Sequence, residues 1–323
     1  MKRVFVVTAA FALLCLGGIV QAVTIDTVAV GNAGNAADTT GYGSVGYNYN
    51  IGKYEVTAGQ YTAFLNAKAA TDTYGLYSTN MAGTYGCQIQ RSGGSGSYTY
   101  SVASDYANRP VNYVSYWDSL RFANWLNNGQ GNGDTETGAY TLGGYNGIDG
   151  RAIQRNAGAK WFLTSEDEWY KAAYYKGGGN NAGYWDYPTS SNTVPGRDMT
   201  DASGNNANYY TDGPLITPYY RTEVGEFQNS DSPYGTFDQG GNVWEWNEAI
   251  IDPGSFYADR GVRGGSWNSG GTDGLLASYR PSITPTYEHD GFGFRVSEVP
   301  EPSSIIALAC GVVGLLGIRR RRA

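Results

Sequence analysis

Asp238 and Glu245 are carboxylates on either side of a Gly240-Gly241 pair, in the run Tyr234-Gly235-Thr236-Phe237-Asp238-Gln239-Gly240-Gly241-Asn242-Val243-Trp244-Glu245-Trp246. Paired glycines allow a bend that brings main-chain carbonyls close to one point. Carboxylates bracketing such a bend make an oxygen-only surrounding of the kind Ca²⁺ favours. The plainer reading of the same run is a Trp-rich core strand with solvated acids. In an extended strand Trp244 and Trp246 share one face, and Val243, Glu245 and Asn247 share the other. Two indoles are therefore expected to enter a core beside a carboxylate.

Residue counts exclude several other chemistries. The single histidine, His289, rules out any site that draws two or three imidazoles from one chain. Cys15 and Cys310 lie in apolar terminal segments, which leaves Cys87 alone in the body and permits no internal disulfide framework there. The 323 residues include 47 Gly, 28 Tyr and 8 Trp, a composition of aromatic core cut by many turns. Without Lys2, Arg3, Arg319 to Arg322 and Glu301, all in the end segments described next, the body holds 16 basic and 28 acidic residues, a net charge of −12. Such a surface repels phosphate backbones, so no nucleic-acid partner is expected.

The two ends read as targeting segments. Met1-Lys2-Arg3, an apolar run to Val20 and the small-residue ending Gln21-Ala22 predict a secretory signal peptide over residues 1–22, cut after Ala22. At the other end, Val299-Pro300-Glu301-Pro302 precedes an apolar run from Ile305 to Ile318 and then Arg319 to Arg322. An apolar helix of ~14 residues reaches only ~21 Å, and the arginines stay on the cytoplasmic side. Residues 299–323 closely resemble the PEP-CTERM sorting signal of Gram-negative bacteria. That resemblance implies an exosortase-type processing partner, transient anchoring in the inner membrane, and delivery to the cell surface or extracellular matrix.

Three capped helices must position the body, residues 23–298. Thr57 and Gln60 form a capping box ahead of a helix whose Tyr61, Phe64 and Leu65 share one face. Ser115 caps a second helix with Asp118 at its third position. Trp161-Phe162-Leu163 predicts a strand, and Thr164 is expected to cap a third helix opening on Glu166, Asp167 and Glu168. Ile51 to Val56 is expected to form a strand. Residues 71–108 read as an insertion of loops or short hairpins, and helical signals stop after Gly177. Phe292, Phe294 and Val296 share a strand face, and Arg295, if buried, needs an acidic or carbonyl partner.

In this order, the motifs Gly52-Lys53-Tyr54-Glu55-Val56-Thr57, Ser115-Tyr116-Trp117-Asp118, Leu163-Thr164-Ser165-Glu166-Asp167-Glu168-Trp169, Gly241-Asn242-Val243-Trp244-Glu245-Trp246, Arg263-Gly264-Gly265-Ser266-Trp267 and Gly293-Phe294-Arg295 resemble the sulfatase-modifying-factor family. This family holds the formylglycine-generating enzymes. The resemblance implies an α+β domain related to C-type lectins, with much irregular structure. It implies Ca²⁺ held by the side chains of Asp238 and Glu245 and the carbonyls of Gly241 and Val243. A second calcium site would use Asn208, the Tyr209 carbonyl and Asp212. Formylglycine-generating enzymes also bind copper through two cysteines after the Gly-Gly-Ser-aromatic motif. Here Ser269 stands at the first of those positions and Asp273 near the second. Neither offers the soft thiolate that Cu(I) needs, so no copper and no catalytic residue are expected. The functional expectation is an exported, calcium-stabilised, non-catalytic module that binds glycan or protein at the surface or in the matrix. The alternative is a formylglycine-generating-type oxidase acting on a protein cysteine.

Overall fold

Each of the three helices starts at a hydroxyl residue whose partner sits three positions on. The structure, a computed structural model, describes residues 22–179, 182–211, 215–269 and 271–299. Thr57 and Gln60 close a capping box on α1 (Ala58–Lys68), and Ser115 and Asp118 close one on α2 (Tyr116–Asn127). The cap of α3 (Glu166–Tyr174) is Ser165 rather than Thr164, one residue later than expected. The geometry requires this shift, because Glu168 can reach back only to the residue three before it. The Glu168 carboxylate accepts from Ser165 N at 2.6 Å, while the Thr164 hydroxyl is buried without a partner.

Helices α2 and α3 pack on two four-stranded sheets, and α1 packs on α2 and on a separate two-stranded hairpin. The strands in chain order are β1 (Thr27–Val30), β2 (Tyr49–Gly52), β3 (Ile89–Ser92), β4 (Thr99–Val102), β5 (Trp161–Leu163), β6 (Trp244–Ile251), β7 (Asp259–Arg263), β8 (Ser282–Ile283), β9 (Phe292–Gly293) and β10 (Val296–Glu298). One sheet runs β1-β2-β10-β5 and is antiparallel throughout, so the first and last strands of the body lie in one sheet. The other runs β8-β7-β6-β9, with β6 and β9 parallel. Residues 71–108 hold a 3₁₀ turn and the β3-β4 hairpin. Most of the chain after Tyr174 is turn and bend, relieved by the β6-β7 hairpin. Among the described residues no helix is long and apolar enough to cross a membrane. The predicted sorting segment from Pro300 onward and the export segment before Ala22 lie outside the described residues.

The apolar faces read from the sequence meet in one core. Tyr61 and Phe64 of α1 contact Phe122 of α2, and Phe122 meets Phe294 edge-on at 5.4 Å. Phe292, Phe294 and Val296 all lie in this core, as do Leu65, Trp125 and Trp246, but not on one strand face as expected: Phe292 is on β9 and Val296 on β10, in different sheets, and the chain crosses between them at Phe294 and Arg295. Strand β2 is shorter than the predicted Ile51 to Val56. Lys53 N adds one more rung to Asp26 O, and then the chain leaves the ladder: Lys53 O receives Phe237 N, and Val56 N reaches Phe294 O. That departure carries Lys53 to Glu55 across to the segment holding Asp238.

A candidate cation site around Asp238 and Glu245

Glu245 lies on β6 opposite Arg263 of β7 and beside Gly293 of β9, fully buried. The expectation that both indoles enter the core and leave the carboxylate on the other face holds for Trp246; Trp244 is only half-buried, against Tyr279. On the opposite face Glu245 and Asn247 are completely covered, so Glu245 is not a solvated acid. Its charge is met by Arg295, whose Nε lies 2.6 Å from Oε2 and Nη2 2.7 Å from Oε1, and by Trp169 Nε1 at 2.7 Å from Oε2. Arg295 thus has the acidic partner its burial demands. It also donates to the carbonyls of Gly52, Lys53 and Phe237.

Asp238 sits in the left-handed region with φ +60° and accepts a 2.6 Å bond from Gly225 N to Oδ2. Burial pushes its carboxyl up to about 6, against the lowering effect of the Gly225 amide and the Arg295 charge. The bend that follows is made by one of the two glycines. Gly241 has φ +86°, and a Cβ there would lie 2.2 Å from Asn208 O, whereas Gly240 does not need a positive φ. Asn242 N closes this approach with a 2.7 Å bond to Asn208 O.

Two residues of this site escaped the sequence reading. Glu55 is buried against the Asp238 segment, and desolvation first, then the charges of Asp238 and Glu245, push its carboxyl well up. Asn242 donates to Glu55 Oε2 at 3.3 Å and accepts through Oδ1 from Asn208 Nδ2, Thr222 N and Thr222 Oγ1. A lone Glu between Tyr54 and Val56, in a run otherwise expected as strand, was the available signal for Glu55. Asn242 carried no signal beyond its place in the motif.

Among the described residues no three carboxylate, imidazole or thiol side chains form a metal centre by themselves. The expected calcium set pairs the Asp238 and Glu245 carboxylates with main-chain carbonyls, the mixed oxygen shell Ca²⁺ uses. Of the three carboxylates here only Glu245 bonds the Arg295 guanidinium, while Glu55 and Asp238 act on it as nearby charges. Asn208, of the second expected site, lies alongside. Its Nδ2 bonds Tyr220 O and Asn242 Oδ1, and its main chain bridges to Gly241. Tyr209 is buried and bonds Pro195 O through its hydroxyl, and Asp212 lies outside the described residues.

The segment aligned with copper binding is built from hydroxyls. Ser269 Oγ accepts from Ser266 N at 3.1 Å and lies 2.8 Å from Ser266 Oγ. Asp273 is exposed at the start of a 3₁₀ turn, Asp273–Leu275. Cys87, distant in sequence, belongs to a segment that comes close in space, because the Tyr85 ring stacks on Trp267 at 5.8 Å. The thiol itself is fully buried, and burial pushes it up, away from thiolate.

Among the described residues, two four-stranded sheets, a two-stranded hairpin, three α-helices and long irregular connections, with the first and last strands in one sheet, define an α+β domain of the C-type-lectin-like kind. The chain belongs to the sulfatase-modifying-factor family: the model of the sulfatase-modifying factor enzyme 1-like domain matches residues 27–299. The fold is similar to that of CarF, at 21% identity over 86% of this chain and 99% of that one, with a TM-score of 0.57. It is also similar to variable protein 1 of Treponema denticola, at 21% identity over 85% of this chain and 95% of that one, with a TM-score of 0.52. No curated protein matches the sequence.

Proposed function

We propose that this protein is an exported, calcium-stabilised and non-catalytic member of its family, which binds glycan or protein at the cell surface or in the extracellular matrix of a Gram-negative bacterium. The observation that carries the non-catalytic reading is Ser269: its hydroxyl is tied to Ser266, where the copper-dependent enzymes need a thiolate. The terminal segments support export and exosortase-type processing. The charge surplus around Glu55, Asp238 and Glu245 supports calcium.

A binding face lies beside Ser269. Tyr85, 45% exposed, stacks on Trp267, and Tyr220 meets each of these rings at 5.0 Å. Asn268 Nδ2 and His289 Nδ1 both contact Asp290 Oδ1 at the edge of the cluster, at 2.7 and 2.8 Å. Aromatic surface rimmed by a few oriented polar groups suits a sugar ring or a protein side chain. The test is a glycan-array and matrix pull-down with the full chain, repeated with chelator and with Tyr85→Ala. Capture that needs calcium and Tyr85 supports the reading; copper-dependent O₂ consumption with a cysteine peptide supports the oxidase instead.

A further inference from the structure

The turn joining β6 to β7, residues 252–258, presents Phe256, 83% exposed, beside Tyr257, 47% exposed, with ring centroids 4.5 Å apart at 79°. One exposed apolar side chain is ordinary on a protein surface. The main chain beneath this pair is not, because a guanidinium from elsewhere in the chain holds it. Arg151, on the 3₁₀ turn Gly150–Ala152, donates from Nη1 to Pro253 O at 2.8 Å and to Ser255 O at 3.4 Å, and from Nη2 to Phe256 O at 3.0 Å. Asp149 aims that guanidinium, accepting from its Nε at 2.9 Å and its Nη2 at 3.1 Å, and also accepts from Ala258 N at 3.3 Å. Gly150 N bonds Ala258 O, and Ser255 N bonds Asp252 O across the turn. An ion pair this exposed adds little to the stability of the whole fold. Its effect is local: it orders the loop that carries the rings, and an ordered loop loses less entropy when a ligand binds.

Charge and area narrow what the rings can meet. Asp252 and Asp259 flank the tip, Arg151 is neutralised by Asp149, and the body carries a net charge of −12, so anionic lipid and acidic glycan are repelled. Two aromatic side chains bury at most about 300–500 Å², short of the ~800 Å² per partner of a stable protein interface. An uncharged sugar has an apolar C–H face that lies flat on an aromatic ring, and a polysaccharide repeats that face along its length. We propose that Phe256 and Tyr257 form a second contact for an uncharged polysaccharide, with Asp149 and Arg151 as positioning residues that hold the turn in its binding shape. This rests on the glycan part of the proposed function but not on the Tyr85 face, so the two contacts are tested separately.

The test is retention of the full chain, in mild detergent, on cellulose, curdlan and chitin, with alginate beads as the acidic control and, after detergent removal, flotation with phosphatidylcholine vesicles. The parent should be retained by at least one of the three neutral polysaccharides and not by alginate. Phe256→Ser should weaken that retention by about tenfold, while Phe256→Tyr, which keeps a ring, should preserve it. Arg151→Gln leaves both rings in place but releases the carbonyls beneath them, so it should weaken retention several-fold. All three variants should melt with the parent, because the tip is exposed. Retention by none of the three, or retention that Phe256→Ser leaves unchanged, would overturn the proposal; loss in Tyr85→Ala alone would then leave the Tyr85 face standing. Alginate retention that depends on Phe256 would overturn the uncharged ligand. Vesicle flotation that depends on Phe256, without polysaccharide retention, would overturn the proposal in favour of lipid.

Discussion

Arg295 and Glu245 meet in a two-point ion pair, Nε to Oε2 at 2.6 Å and Nη2 to Oε1 at 2.7 Å, with neither side chain exposed. Arg295 lies between β9 and β10 and Glu245 on β6, so the pair ties the two sheets together. Removing one partner strands the other charge in the core, which costs about 3–5 kcal/mol. Arg295→Ala should therefore lose that much in urea unfolding. Arg295→Lys should recover little, since an ammonium cannot span both oxygens and three carbonyls. A loss below about 1 kcal/mol, the range of an exposed pair, would show that the pair opens to solvent.

Gly241→Ala should destabilise the protein and loosen the Asn208 bridge. Its positive φ costs an alanine about 1–3 kcal/mol, and the added Cβ, 2.2 Å from Asn208 O, forces main chain apart. Gly31→Ala is the control, because nothing lies within 4 Å of a Cβ there and φ is not positive. Circular-dichroism melting of the two variants should separate them by several degrees; equal melting would locate the bend elsewhere.

Stability in chelator should rise as pH falls from 7.5 to 5.5, and a carboxyl pair near the start of α2 should contribute. Burial pushes Asp118 up to about 6, and burial together with the Asp118 charge pushes Glu288 up to about 7. Both values lie above the ordinary carboxylate range near 4. The folded state therefore holds more protons than the unfolded one between about pH 4 and 7, and stability is lost as pH rises through that window. Glu288→Gln removes one of the two titrations, so its melting temperature should vary less with pH. An unchanged slope would mean that the carboxyls do not couple to folding.

The unmodified protein should show no cysteine-oxidising turnover, because its body thiol is buried and Ser269 is a neutral hydroxyl. The double variant Ser269→Cys with Asp273→Cys should bind Cu(I) more tightly than either single change, since two thiolates chelate where one only coordinates. Equal affinity in all three would show that the two positions no longer converge. Turnover by the parent, abolished by Cys87→Ala, would refute the non-catalytic reading.

The sequence by itself determined what depends on neighbours three or four residues apart. The caps of α1 and α2, the buried faces around Phe64 and Trp125, the burial of Phe292, Phe294 and Val296, and the order of family motifs were all legible, because capping and periodicity are local; the single strand expected through those last three does not form, since Phe292 lies on β9 of one sheet and Val296 on β10 of the other, with Phe294 between them. Even there Ser165 displaced Thr164, since two adjacent hydroxyl residues satisfy the same pattern and only the reach of Glu168 separates them. Asp238 and Glu245 were legible as a pair, but the charge balance that gives them meaning was not. Glu55 joins them only because the chain abandons β2, Arg295 reaches Gly52 across 243 positions, and Asn242 reaches Glu55 across 187. Electrostatic compensation in a buried site is a sum over every charge brought within a few ångströms, and only the packing of the two sheets decides which charges those are.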